Sequence, residues 1–382
     1  MNRTEELMSL TRRAVANIAA RTTDQAEDTM ALPVSAYLDP DRYRNEVDRI
    51  FRRLPLGLAL SSELRGPGAY RAMTVMGTPV LLVRGRDGVA RGFLNVCRHR
   101  GAVVCPNGAG HAEHFVCPYH AWSYDDRGVL DGVYGGSTFG DIDRAALSLT
   151  PLPTAERAGF IWTSLDKNAT FDIDSWLGAF GTQVAALGLE NWHIYERREL
   201  DGPGWKVAWD GYLEGYHQAA LHPNTVGKNT IANMMVVDAY GPHQRIVFGR
   251  KSLRTLLDQP EENWNPGEHI RLIHSGFPNL SISGVLGDHC LVSQIFPGPT
   301  PDRSLTVQTI LCQEPPETEA AKAAAAGFSA MVLQAVRDED YAVGFTIQEG
   351  LASGANDAFV FGRNEPTLQH YHRWVAKLGG EA

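Results

Sequence analysis

Cysteine is scarce in this chain: five among 382 residues, at positions 97, 105, 117, 290 and 312. Five dispersed cysteines do not make a disulfide framework, so the expectation is a reducing compartment. Long apolar runs are also missing. None approaches the roughly 20 residues that cross a bilayer, and the first 28 residues mix acids with arginines around no apolar signal core. Both absences point to a cytoplasmic protein without a membrane partner. Basic residues are in deficit, 35 Lys and Arg against 44 Asp and Glu for a net charge of −9, the opposite of a nucleic-acid footprint. No flavin or nicotinamide motif sits between a strand and a helix, and there is no internal repeat or low-complexity linker.

What is present is the composition of an ordinary globular protein, 43% hydrophobic and 21% charged. The length is generous for one core, which makes two domains the natural expectation. Residues 1–35 read as a helical arm. After Asp39-Pro40 a short helix is expected, with Tyr43, Val47, Ile50 and Phe51 on one face. Residues 69–75, 78–84 and 88–96 are short apolar runs between turns such as Met76-Gly77 and Arg86-Asp87-Gly88, the pattern of antiparallel strands. An all-β domain over 36–165 follows, and 166–382 forms the second domain. There, strands alternate with turns across 230–312, the Ala-rich stretch Glu317 to Glu349 is the strongest helix signal, and His370 to Leu378 is a final helix.

The chemistry concentrates in two places. The first is Cys97-x-His99, then 17 residues, then Cys117-x-x-His120. Matched Cys/His pairs on two loops suit zinc or an iron-sulfur cluster. Structural zinc sites usually separate the cysteine pair from the histidine pair. One Cys and one His per loop instead suits a cluster with thiolates on one iron and imidazoles on the other. The second place is Glu214-x-x-His217-x4-His222. If a helix starts near Trp205, Glu214 and His217 lie about 60° apart on one face, while His222 needs the break that Pro223 supplies. Two histidines and a carboxylate form the facial triad of non-heme iron enzymes.

CRHRGA and CPYHAW resemble the Rieske domain of the ring-hydroxylating Rieske non-heme iron oxygenases. Cys105 has no counterpart after Cys117, unlike the paired extra cysteines of cytochrome-bc-type Rieske proteins, and Ala121 stands where the oxygenase pattern usually has Gly. Glu214, His217 and His222 match the family's second motif, and RDEDYAVGFTIQEGL resembles its C-terminal segment. The resemblance implies an α+β protein, a Rieske domain followed by a helix-and-antiparallel-sheet catalytic domain of helix-grip, START-like form. It implies a 2Fe-2S cluster on Cys97, His99, Cys117 and His120. It further implies mononuclear iron(II) on His217, His222 and Asp340, with Asp338 and Glu339 as alternatives and Gln348 as the marker. Glu214 would be a catalytic bridge from His120 of one subunit to His217 of the next. Asp210 and Gly211 replace the family's usual Glu-Asn. The implied protein is a homotrimeric terminal oxygenase taking electrons from an NAD(P)H-dependent reductase, with or without a ferredoxin or a β subunit. It would hydroxylate or oxidatively demethylate a small hydrophobic, aromatic or alicyclic molecule. The alternative is a Rieske electron carrier without oxygenase activity. Ile231, Met234, Met235, Phe248, Ile282 and Phe296 are candidate lining residues that could equally be sheet core, and no Arg or Lys there stands out as a carboxylate clamp.

Overall fold

The computed structural model describes residues 3–380. They form two compact units. One comprises Phe51–Trp176 with Gly188–Asn191; the other takes the residues up to Ile50, Leu177–Leu187 and those from Trp192 onward.

The first unit is built of antiparallel sheets. Five strands run in the order Pro151–Leu152, Ala90–Leu94, Thr78–Arg84, Ala69–Val75, Gly108–His111, and Leu56–Leu60 joins Phe160–Thr163 and Thr154–Arg157 in a second sheet. A third, small sheet of Phe115–Val116, Ser123–Tyr124 and Leu130–Gly132 carries the second Cys/His loop. Phe93, Phe115, Trp122 and Tyr124 pack with Cys97 and Cys117 into one core. Both cysteines are therefore anchored where side-chain motion is most restricted.

The second unit is a seven-stranded antiparallel sheet in the order His193–Pro203, Arg303–Cys312, His289–Pro297, Leu280–Ser283, Ile270–Gly276, His243–Arg250, Thr230–Tyr240. A helix of 319–352 lies on one face, with Val332 against Leu291 and Ile310. It is not uniform: Gln334–Tyr341 is wound as a π-helix between α-helical halves. Such widened turns concentrate at functional sites, and this one carries Asp338, Glu339 and Asp340. The final helix, Pro366–Gly379, starts on a proline that needs no N–H partner and stops at Gly380, whose φ of 88° few other residues adopt.

The expected domain boundary is displaced at both ends. Residues 36–50 cluster with the second unit, not the β unit. Asp39 caps the helix Pro40–Glu46 by accepting from the Asp41 and Arg42 N–H groups. At its other end buried Glu46 accepts a 2.6 Å bond from Lys206, also buried. A charge pair removed from water cannot part cheaply, so this helix goes with Lys206. At the other boundary, 166–176 stay with the β unit.

Candidate metal centres

The two Cys/His loops are copies of one backbone frame. Gly101 N–H donates to Cys97 O and Ala121 N–H to Cys117 O, each at 3.0 Å; Cys97 N–H donates to Ala102 O and Cys117 N–H to Trp122 O, each at 2.8 Å. Within this frame the histidine falls two residues after one cysteine and three after the other. The His99 and His120 rings end 4.7 Å apart, and Trp122 stacks on His99 at 4.8 Å. Cys97 and Cys117 are buried and interact through their sulfurs. Burial pushes the Cys117 thiol up, against backbone N–H groups of Tyr119 and His120 that favour its thiolate. His99 Nδ1 is buried with no hydrogen-bond partner. A buried unpaired nitrogen is costly unless it serves as a ligand, so this donor set fits an iron-sulfur cluster. His120 Nε2 lies 2.7 Å from Arg100 Nη2, and Arg100 rests on the Tyr119 ring.

The second centre brings together residues 123 positions apart. His217 Nε2 lies 3.1 Å from His222 Nε2; Asp340 Oδ1 lies 2.9 Å from His222 Nε2 and 3.6 Å from His217 Nε2. Ligand atoms about 2.1 Å from one ion and at right angles to each other sit roughly 3 Å apart. This is that spacing. His217, His222 and Asp340 are the group among the described residues that could hold a single ion. Burial opposes protonation of His222, but Asp340 and Glu339 outweigh it and raise the imidazole above its ordinary value. A divalent cation would satisfy the same negative surroundings.

Each imidazole is held from behind by a glutamate. Glu214 Oε1 meets His217 Nδ1, and Glu339 Oε2 lies 2.6 Å from His222 Nδ1 while accepting from Thr225 Oγ1 at 2.5 Å. Such partners fix the tautomer that leaves Nε2 to the ion. Glu339, read from the sequence as an alternative ligand, therefore sits behind one. Asp338 pairs with Arg337 at the surface. Thr225 had no signal in the sequence.

The expected single helix through Glu214 and His217 does not form. The helix Trp205–Leu213 ends at Glu214, whose backbone is extended at φ −137° and ψ 167°. The Glu214 carboxylate accepts from the N–H groups of Tyr216 and His217, starting a new turn, Gln218–Leu221. Gly215 permits the corner, because a Cβ there would lie 2.6 Å from the Phe248 ring. The break expected before Pro223 is present, with His222 at φ −113° and ψ 43°. Gln348 accepts from Gly204 N–H at 3.3 Å. Asp210 binds Tyr37 and His372 instead of a metal ligand, at 2.6 and 2.8 Å.

The helix-facing side of the neighbouring strands is more polar than the apolar candidates suggested. Tyr212 donates to Ser293 Oγ at 3.3 Å, Tyr341 bonds Thr306, and Arg198 donates to Gln308 Oε1 at 2.8 Å. Of those candidates, Met234, Met235, Phe248, Ile282 and Phe296 are all buried.

Two family models match the chain: the Rieske [2Fe-2S] domain over residues 56–135 and the ring hydroxylating alpha subunit catalytic domain over residues 189–380. Carnitine monooxygenase oxygenase subunit from Escherichia coli (strain K12) is 32% identical over 52% of this chain and 53% of its own length. Chlorobenzene dioxygenase subunit alpha from Cupriavidus sp. (strain PS12) is 33% identical over 50% and 48%. The matches thus span about half the length of these curated relatives. The crystal structure of a quaternary ammonium Rieske monooxygenase in complex with L-carnitine superposes with a TM-score of 0.78 at 22% identity, covering 93% of this chain and 96% of that one.

Proposed function

Because the chain belongs to the ring-hydroxylating alpha-subunit family of Rieske oxygenases, we propose that it is a terminal oxygenase that hydroxylates an N-methyl group of a small polar amine. The observation that carries an oxygenase, and not a plain electron carrier, is the convergence of His217, His222 and Asp340. In this reading those three hold iron(II), and Cys97, His99, Cys117 and His120 hold the 2Fe-2S cluster. When bound, these groups supply dioxygen activation and the electrons it consumes, which a separate reductase delivers.

The chain's own residues orient and insulate that chemistry. Glu214 and Glu339 hold the far nitrogens of His217 and His222, so both Nε2 lone pairs face the same point. Within the chain Glu214 accepts from His217 Nδ1 and from two backbone N–H groups. A carboxylate offers about four acceptor positions, which leaves one for His120 of an adjoining copy. That count supports the bridging role, which the homotrimer of this reading requires.

The substrate class rests on two things. The sheet face near Asp340 carries Ser293, Gln308 and Arg198, with Tyr212 of the helix Trp205–Leu213 reaching Ser293, which suits a polar molecule better than a bare hydrocarbon. Relatives include carnitine and glycine betaine monooxygenase subunits. Hydroxylation of an N-methyl carbon would yield a carbinolamine that releases formaldehyde and the demethylated amine. A second reading, oxidation of an aromatic ring, is favoured by the chlorobenzene dioxygenase relative. The reducing requirement of the cluster supports a cytoplasmic site of action. Oxygen uptake with a surrogate reductase separates the readings: formaldehyde formed in step with oxygen consumed, with N-methyl amines only, supports the first. Uptake coupled only to aromatic compounds overturns it.

A further inference from the structure

We propose that Tyr212 and Tyr341 form a hydroxyl brace that presets the spacing of His217, His222 and Asp340. The inference rests on the reading of those three residues as the ligands of one iron. They come from two segments far apart in the chain, and each segment carries one of the tyrosines. Tyr212 lies on the last turn of the helix Trp205–Leu213, shortly before His217. Tyr341 follows Asp340 directly, at the end of the π-helical stretch Gln334–Tyr341.

The two side chains converge on one face of the sheet. The Tyr341 hydroxyl bonds Thr306 Oγ1, and Tyr212 donates to Ser293 Oγ at 3.3 Å. Thr306 and Ser293 stand on adjacent strands, where Ser293 pairs with Gln308, the next residue along on the same face as Thr306. The two phenols also bond each other. A hydroxyl has one proton to give. Tyr212 gives its own to Ser293, so towards Tyr341 it accepts, and Tyr341 in turn accepts from Thr306. One chain from Thr306 through Tyr341 and Tyr212 to Ser293 then ties both ligand-bearing segments to the sheet and to each other. Thr306, Ser293 and Tyr341 are buried, and in a dry core a fully satisfied chain of this kind rigidifies its surroundings. Gly202 makes room for it, because a Cβ there would lie 3.0 Å from the Tyr341 ring.

The charge at the site calls for such a brace. The carboxylates of Glu214, Glu339 and Asp340 gather round two imidazoles, and like charges this close push apart until a cation offsets them. In the wide turn Glu339 holds His222 from behind and Asp340 faces the ion, so both are committed to the histidines. That leaves Tyr341 to fix the turn to the sheet. Tyr212 and Tyr341 are positioning residues, acting on the iron through the segments they hold.

The test uses the full chain with its cluster in place and the mononuclear iron removed. Iron(II) is titrated back without oxygen against a chelator of known affinity, while Rieske absorbance reports the cluster. Tyr341→Phe deletes one hydroxyl and should weaken iron(II) binding about tenfold, the usual scale for losing support behind a ligand, with the Rieske spectrum unchanged. Tyr212→Phe should do the same. The double variant should lose little more than either single one, because the same chain is broken in all three. Thr306→Ser keeps the hydroxyl and should keep the affinity; Thr306→Val, close in shape to threonine, should lose it and decides if Tyr341→Phe does not fold. A lower unfolding temperature with unchanged iron affinity in Tyr341→Phe or Thr306→Val overturns the inference, and so do fully additive losses in the double variant. Both results leave the triad itself standing. An unmodified chain that takes up no iron beyond its cluster ends the triad reading and the brace together. A chain that binds this iron but demethylates no amine loses the proposed function and keeps the brace.

Discussion

Gly101 and Ala121 occupy the same place in the two ligand loops. Each donates its N–H to the carbonyl of the cysteine four residues before it, at 3.0 Å, and each has a left-handed backbone, with φ of 77° and 54°. Glycine adopts that conformation freely; an L-residue with a Cβ pays about 1–2 kcal/mol. The Gly-to-Ala departure from the family pattern is therefore a strained position, not a neutral exchange of small residues. Ala121→Gly should stabilise the protein by about 0.5–1 kcal/mol after the greater chain entropy of glycine is subtracted. Thermal unfolding checks this: the midpoint should rise, and the cluster absorbance should bleach later.

Glu339 lies behind His222, and its removal should loosen the iron without touching the cluster. Glu339→Ala is expected to weaken iron binding by about 10–100-fold, the usual effect of losing an outer partner of a ligating histidine. Asp338→Ala should leave it unchanged, because Asp338 faces Arg337 at the surface. Competition with a chelator, read as the free chelator concentration that strips half the mononuclear iron, measures both.

Glu214→Gln keeps an oxygen for His217 Nδ1 and removes the charge. Both metals should stay bound while coupled turnover drops by about 10–100-fold. Rapid mixing of reduced enzyme with substrate and oxygen locates the loss: the cluster should reoxidise slowly although the iron is present. Full coupled turnover in this variant would contradict the bridge.

Glu46 and Lys206 form the buried pair that ties the helix Pro40–Glu46 to the catalytic unit. Glu46→Met leaves Lys206 in the core without its carboxylate and should cost about 3–5 kcal/mol. Pairing it with Lys206→Met should recover most of that loss. Denaturant unfolding of the two variants side by side is the check.

The proposed ligands were legible in the sequence because metal chemistry permits few residue types at few spacings. Cys97, His99, Cys117, His120, His217 and His222 follow from two motifs, and the strands Ala69–Val75 and Thr78–Arg84 were bounded to the residue by their turns. What sequence reasoning missed depends on contacts across the chain. Periodicity favoured one helix through Glu214 and His217; capping by the Glu214 carboxylate and the close approach of Phe248 to Gly215 overrode it. No local pattern marks Thr225, whose partner is 114 residues away. The helix Pro40–Glu46 was assigned to the wrong neighbour because Lys206, which holds it, lies 160 residues on.

The central claim is that one chain carries both a cluster and a separate triad-bound iron, and the ratio of iron to acid-labile sulfide tests it most directly. Fully loaded protein should contain about three irons and about two sulfides per chain. Asp340→Ala should fall to about two irons with two sulfides and an unaltered Rieske spectrum. Two irons with two sulfides in the unmodified protein, or no change on substituting Asp340, would contradict the claim and leave an electron carrier.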